Sequence, residues 1–174
     1  LPSFVKVAEK YRNICAEYNF GPLPDVAVVA SREHLEVPLL VALEKLYDGR
    51  LPSLLKVVVA PKRLSDRMNF YSAYAAAITS FGTSTLEMAC AGIPFAACVV
   101  PDFLTYAMGK LLVKSEYLSL PNAIFGCGVT PEFIIRHKMN DRMATAIVDA
   151  LFQQDIGTVD EIAFRLRKIL DVGK

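Results

Sequence analysis

Along residues 3 to 18 the apolar positions Phe4, Val7, Ala8, Tyr11, Ile14, Cys15 and Tyr18 fall three and four apart, the spacing of one helix face. The Gly and Pro of "FGPLP" then break the pattern. "DVAVVAS" at 25–31 is a short β-branched run that predicts a buried strand, and "LEVPLLVALEKLYDG" after it predicts a helix stopped by Gly49. Strand patterns recur at "LLKVVVAP" (54–61), "AAAIT" (75–79) and "PFAACVV" (94–100), each followed by helical spacing, and "YLSLPN" (117–122) predicts a last strand. The terminal segment opens with a Thr158-to-Glu161 capping box and carries Val159, Ile162, Ala163, Leu166 and Ile169 along one stripe, so a closing helix is predicted at about 158–171. Short apolar strands separated by helices predict an α/β fold, a Rossmann-like parallel sheet flanked by helices.

Length and composition narrow this pattern to a single folded domain over residues 1–174, with 53% hydrophobic and 21% charged residues and a mean hydropathy of +0.35. A net charge of +1 argues against nucleic acid as a partner. Cys15, Cys90, Cys98 and Cys127 lie far apart with no CxxC pair, which argues against a zinc site and for reduced thiols in a cytoplasmic setting, Cys127 alone being exposed. The chain opens at Leu1 and runs at once into a helical pattern, which reads as a cut edge. It shows no signal peptide and no long charge-free apolar span, so it is expected not to cross a membrane. His34 and His137 stand alone in polar surroundings and read as surface residues.

The segment with the most chemistry is "SFGTSTLEMACAGIP" at 80–94, where a strand pattern gives way to a helix pattern. Ligands of open parallel sheets gather at the carboxyl ends of strands, where a helix N-terminus offers N–H groups and a positive dipole end to phosphate. Gly82 would let the backbone approach, the hydroxyls of Thr83, Ser84 and Thr85 could donate to phosphate oxygens, and Glu87 could accept from a ribose diol. The same spacing has a purely local explanation, because Ser84-x-x-Glu87 matches a helix capping box. Spacing alone leaves both open. "FLTYAMGKLLVK" at 103–114 likewise reads as either a core helix with snorkelling lysines or a surface helix that meets acyl chains.

"GTSTLEMACAGIPF", "LTYAMGKLLVKSEYLSLPNAIFG" (104–126) and "PEFI" (131–134) resemble, in order and spacing, the C-terminal half of the bacterial lipid-A-disaccharide synthases. That family pairs a GT-x-TLE motif and a following G-x-P with an LTY segment, an LLVK run and a closing SLPN-x-x-x-G. The resemblance implies the nucleotide-sugar-binding half of a two-domain, GT-B type glycosyltransferase, with the first strand and its Gly-Ser-Arg loop missing. It implies transfer of diacylglucosamine from UDP-2,3-diacylglucosamine to 2,3-diacylglucosamine 1-phosphate, with release of UDP and with no cofactor or essential metal. Its partners would be that donor, the lipid acceptor, the N-terminal acceptor-binding half and, peripherally, the inner face of the inner membrane. Gly82, Thr83, Ser84 and Thr85 would then approach the diphosphate, Glu87 would hold the ribose and Asn122 would line the cleft. The catalytic base would sit in the missing half.

Three positions depart from the family pattern. Phe81 replaces the Ser before Gly-Thr, Val99-Val100 stand where an aromatic is followed by Arg or Lys, and Gly126-Cys127-Gly128 stand where Gly-Arg follows SLPN. Two cations that could neutralise phosphate are thus absent, each worth about 1.5–3 kcal/mol in a charge-assisted contact. Two other readings stay open: a degenerate relative that keeps the fold as a binding or assembly module, and a UDP-N-acetylglucosamine epimerase-like enzyme, against which the SLPN segment argues.

Overall fold

A computed structural model of the chain describes residues 2–19, 21, 24–49, 51–53, 55–100, 116–135 and 139–171. It divides into two compact units, residues 1–63 and 64–174.

In the first unit, α1 (Pro2–Glu17) starts on a proline, which is tolerated at a first helical position because no partner exists there for its missing N–H. It buries Val5, Val7 and Cys15, while Tyr18 of the expected face lies beyond the helix end at 64% exposure. Strand β1 (Val26–Ala30), a short 3-10 turn (Glu33–Leu35), α2 (Glu36–Leu46) and β2 (Leu55–Val59) follow. The two strands pair in parallel, from Val26 opposite Leu55 to Ala30 opposite Val59. Their core is Val5, Leu43 and Leu55, with Val26, Val28, Tyr47 and Val57 packed against it. Gly49, at φ 82°, returns its N–H to the Glu44 carbonyl and closes α2 where the sequence places the stop. His34 lies exposed in the 3-10 turn, while His137 falls outside the described residues.

In the second unit, α3 (Leu64–Tyr71), β3 (Ala77–Thr79), α4 (Thr83–Ala91) and β4 (Phe95–Val99) alternate as the apolar pattern predicts. Beyond them come α5 (Leu120–Phe125), β5 (Glu132–Ile134), α6 (Asp141–Phe152) and α7 (Ile156–Ile169). The sheet order is β3-β4-β5, all parallel, with Ala77 opposite Phe95 and Ala97 opposite Glu132. Phe95 to Cys98 of the central strand are buried, which is why that strand reads as an unbroken apolar run. Helix α6 lays Ala144, Ile147, Val148 and Leu151 toward β4, and α4 packs against both α3 and α7. Gly92 ends α4 in the left-handed region, and a Cβ there would lie 3.4 Å from Asp160 Oδ1 and 3.6 Å from Ala163 Cβ of α7. Arg167 Nε of α7 donates to the Cys90 carbonyl at 2.6 Å and satisfies an acceptor at that helix end.

Two sequence expectations are corrected. The 117–122 segment is not a strand: Ser119 stands just before α5 with its hydroxyl turned to Glu132, Pro121 sits in the first turn of that helix, and the backbone N–H groups of Leu118 and Ser119 go to the Glu132 carboxylate instead of a ladder. The remaining strand of this sheet is instead β5, Glu132–Ile134. The closing helix starts earlier than the Thr158-to-Glu161 box, because Asp155 is its cap and accepts from both the backbone N–H (2.8 Å) and the hydroxyl (2.9 Å) of Thr158. Those two bonds favour the carboxylate and lower the Asp155 pKa.

Cys15, Cys90 and Cys98 are buried and Cys127 is exposed, as expected. Burial raises the thiol pKa of the three buried residues, that of Cys98 to about 12. Maleimide under native conditions is therefore expected to modify one thiol per chain, with peptide mapping placing it at Cys127, and all four after unfolding in urea. Native labelling of Cys98 would contradict the packing of β4.

Candidate functional site at the β3–α4 turn

Strand β3 ends at Thr79 and α4 begins at Thr83, so the three-residue turn Ser80-Phe81-Gly82 stands at the carboxyl end of the parallel sheet. Gly82 is the helix cap at φ 131° and ψ −161°, a conformation essentially restricted to glycine. A Cβ at Gly82 would meet nothing within 4 Å, so the glycine is required by its backbone angles and not by crowding. Phe81, in place of the family's serine, is half-buried in the turn.

The three hydroxyls after Gly82 have different fates. Thr85 is fully buried, and both its Oγ1 (2.6 Å) and its backbone N–H (3.1 Å) donate to the Gly82 carbonyl. Ser84 Oγ accepts from Thr79 Oγ1 at 2.8 Å and donates to the Ser80 carbonyl at 3.2 Å, tying the helix start back to the strand end. Thr83 is exposed, and among the described residues its hydroxyl takes no hydrogen bond. Nor does any carbonyl among the described residues accept from the N–H groups of Thr83 and Ser84, which the first turn of the helix leaves open.

Glu87 does not fold back on Ser84, which corrects the capping-box reading. Its Oε1 accepts from Arg67 Nη1 of α3 at 2.9 Å, with the two side chains 14% and 21% exposed. Tyr71, one turn along α3, is buried; burial first and the charge of Glu87 second raise its pKa, and Arg67 lowers it. Sequence reasoning missed Arg67 and Tyr71. The signal was their i, i+4 spacing, which puts a cation and a phenol on one helix face.

Asn122 is buried, at 2% exposure, and its amide is fully engaged within the unit. Nδ2 donates to the Thr130 carbonyl (2.9 Å) and to Glu132 Oε1 (2.7 Å), while Oδ1 accepts from the N–H groups of Val129 and Thr130 (2.8 Å each). Glu132 also accepts from the Ser119 hydroxyl at 2.7 Å. This network fixes α5 to the segment entering β5 and so sets the course of the exposed Gly126-Cys127-Gly128 loop.

Among the described residues, no group of three or more His, Cys, Asp or Glu side chains is placed to hold a metal ion. No helix among them is long and apolar enough to cross a membrane. The 103–114 segment lies outside the described residues.

Parallel strands flanked by helices, with a glycine-led helix start at the carboxyl end of the sheet, define a Rossmann-like α/β protein. A family model described as lipid-A-disaccharide synthetase matches residues 42–165, more than two-thirds of the chain. The chain belongs to that family. Curated relatives called lipid-A-disaccharide synthase include one from Nitrosococcus oceani, 37% identical over 93 residues, which are 53% of this chain and 23% of the relative. One from Geobacter metallireducens is 36% identical over 93 residues, with the same coverage of 53% and 23%. One from Sulfurihydrogenibium is 46% identical over 57 residues, 33% of this chain and 15% of the relative. The chain thus spans about a quarter or less of the length of the curated relatives it matches. Membership of this family sets aside the epimerase-like alternative.

Proposed function

We propose that both units of this chain belong to the donor-binding half of a lipid-A-disaccharide synthase, a glycosyltransferase that moves diacylglucosamine from its UDP donor to 2,3-diacylglucosamine 1-phosphate. The observation that carries the reading is the β3–α4 turn, where the open N–H groups of Thr83 and Ser84 meet the exposed Thr83 hydroxyl. The diphosphate would sit against Gly82 to Thr85 and the ribose against Glu87. Ser84 and Thr85 act through backbone and turn geometry, since their hydroxyls are engaged internally. Asn122 acts by holding the 126–131 segment in place.

In the transfer, the acceptor hydroxyl bonds to the anomeric carbon as the bond to the diphosphate breaks. Negative charge grows on the leaving diphosphate, and fixed N–H donors aimed at it lower the barrier more than they stabilise the ground state. The proton of the acceptor hydroxyl goes to a general base, which this reading places in the acceptor-binding half. The reading includes a cytoplasmic setting with peripheral contact to the inner face of the inner membrane, where both lipid substrates reside.

Calorimetric titration of the full-length protein with UDP tests the proposal. Val100 and Cys127, both exposed and uncharged, stand where the family has cations, so the expected Kd lies in the micromolar to millimolar range. Glu87→Ala should weaken binding about tenfold and Thr83→Val about threefold, the loss of one charged and one neutral hydrogen-bonding group. Heat unchanged by both substitutions would overturn the site. No heat in any variant would favour the degenerate relative that keeps only the fold.

A further inference from the structure

The residues around Glu87 carry two competing instructions. Ser84-x-x-Glu87 is a capping box, in which Ser84 would cap the helix and Glu87 would reach back to cover the Ser84 N–H. The structure follows the other one. Helix α4 starts two residues earlier, with Gly82 as its cap, and Ser84 lies inside the first turn with its hydroxyl tied to Ser80 and Thr79. Glu87 is drawn sideways to α3, which packs beside α4, and its carboxylate meets the Arg67 guanidinium at 2.9 Å. A part-buried charge pair keeps more of its attraction than an exposed one, because water screens it less. The phenol of Tyr71 lies on the same face of α3, within electrostatic reach of both charges.

We infer that Arg67 is a positioning residue for nucleotide binding: its ion pair holds the Glu87 carboxylate away from the Ser84 N–H, so that Glu87 stands ready for a ribose diol while the first-turn N–H groups stay open to phosphate. The inference rests on the ribose and diphosphate reading above. Arg67 touches neither part of the nucleotide in this account; it acts through Glu87.

The test compares UDP with 2′-deoxy-UDP on the full-length protein, because loss of one ribose hydroxyl reports on Glu87 and leaves the diphosphate intact. Wild type should prefer UDP by about tenfold, the scale of a hydrogen bond to a charged group. Arg67→Met should bring that preference close to one and weaken UDP itself about tenfold, and Arg67→Lys should restore part of the preference. Melting curves establish folding, and Arg67→Gln, which keeps a donor, carries the test if Arg67→Met does not fold. Should Glu87→Gln lose the preference while the neutral Arg67 variants keep it, the inference is overturned and the ribose reading stands. A wild type that binds UDP and 2′-deoxy-UDP equally, or binds neither, overturns the ribose reading and the inference with it.

Discussion

Asn122→Ala is expected to cost about 3–5 kcal/mol of folding stability, the scale of a buried polar network left without its centre. The side chain is almost wholly buried and makes four hydrogen bonds, two through each end of the amide. Alanine removes all four at once. The Val129 N–H keeps a second acceptor in the Cys127 carbonyl at 3.0 Å, but the buried Thr130 N–H and carbonyl lose their side-chain partner. Each buried group left unpaired costs about 1–3 kcal/mol, and Glu132 loses a donor besides. Asn140 provides the contrast: it is exposed, caps α6 by one bond to the Met143 N–H at 2.8 Å, and should lose only about 1 kcal/mol on change to alanine. Urea denaturation measures both, and amide exchange at Thr130 should accelerate in Asn122→Ala alone. Equal losses at the two asparagines would show that the network does not hold the segment.

That network also explains why the sheet was only partly legible. Of the five strands among the described residues, four are apolar runs whose pattern decides their state, because both faces or one face must be covered. The fifth, Glu132–Ile134, is three residues long and begins with a carboxylate, so neither alternation nor hydrophobicity marks it. What commits Glu132 to that place is a set of donors from residues 118, 119 and 122, a tertiary pairing no local window contains. Conversely, "YLSLPN" has strand-like apolar content but ends as a helix start, because Pro121 fits a first helical turn and gives no N–H to a ladder.

The candidate site was legible in the same uneven way. Gly82 at a strand-to-helix junction could be read from the residues, since only glycine reaches the angles this turn adopts. Which hydroxyls remain available could not. Thr83, Ser84 and Thr85 look equivalent in sequence, yet Ser84 and Thr85 close the turn internally while Thr83 stays exposed. The partner of Glu87 was hidden for another reason: the capping-box spacing is local, whereas Arg67 is twenty residues away and arrives only when α3 packs on α4.

Gly82→Ala should separate backbone conformation from contact at this turn. Since no atom lies within 4 Å of the added Cβ, a loss cannot come from a clash with the surroundings. It must come from forcing an L-residue to φ 131° and ψ −161°, a strain of about 1–3 kcal/mol. If the chain relieves that strain by moving the turn, the Gly82 carbonyl leaves the Thr85 hydroxyl and N–H, and the open N–H groups of Thr83 and Ser84 turn with it. UDP affinity should then fall about tenfold or more, beyond what the stability loss alone produces in a protein that is still folded. Gly49→Ala is the matched control, at φ 82° in the left-handed region past the end of α2, again with nothing within 4 Å of the added Cβ, and asparagine there should cost less than alanine. Thermal melting and UDP titration of the two alanine variants decide the matter. Nucleotide affinity that falls in Gly82→Ala and survives in Gly49→Ala ties binding to the β3–α4 turn, whereas equal affinity in both means that the diphosphate does not rest there.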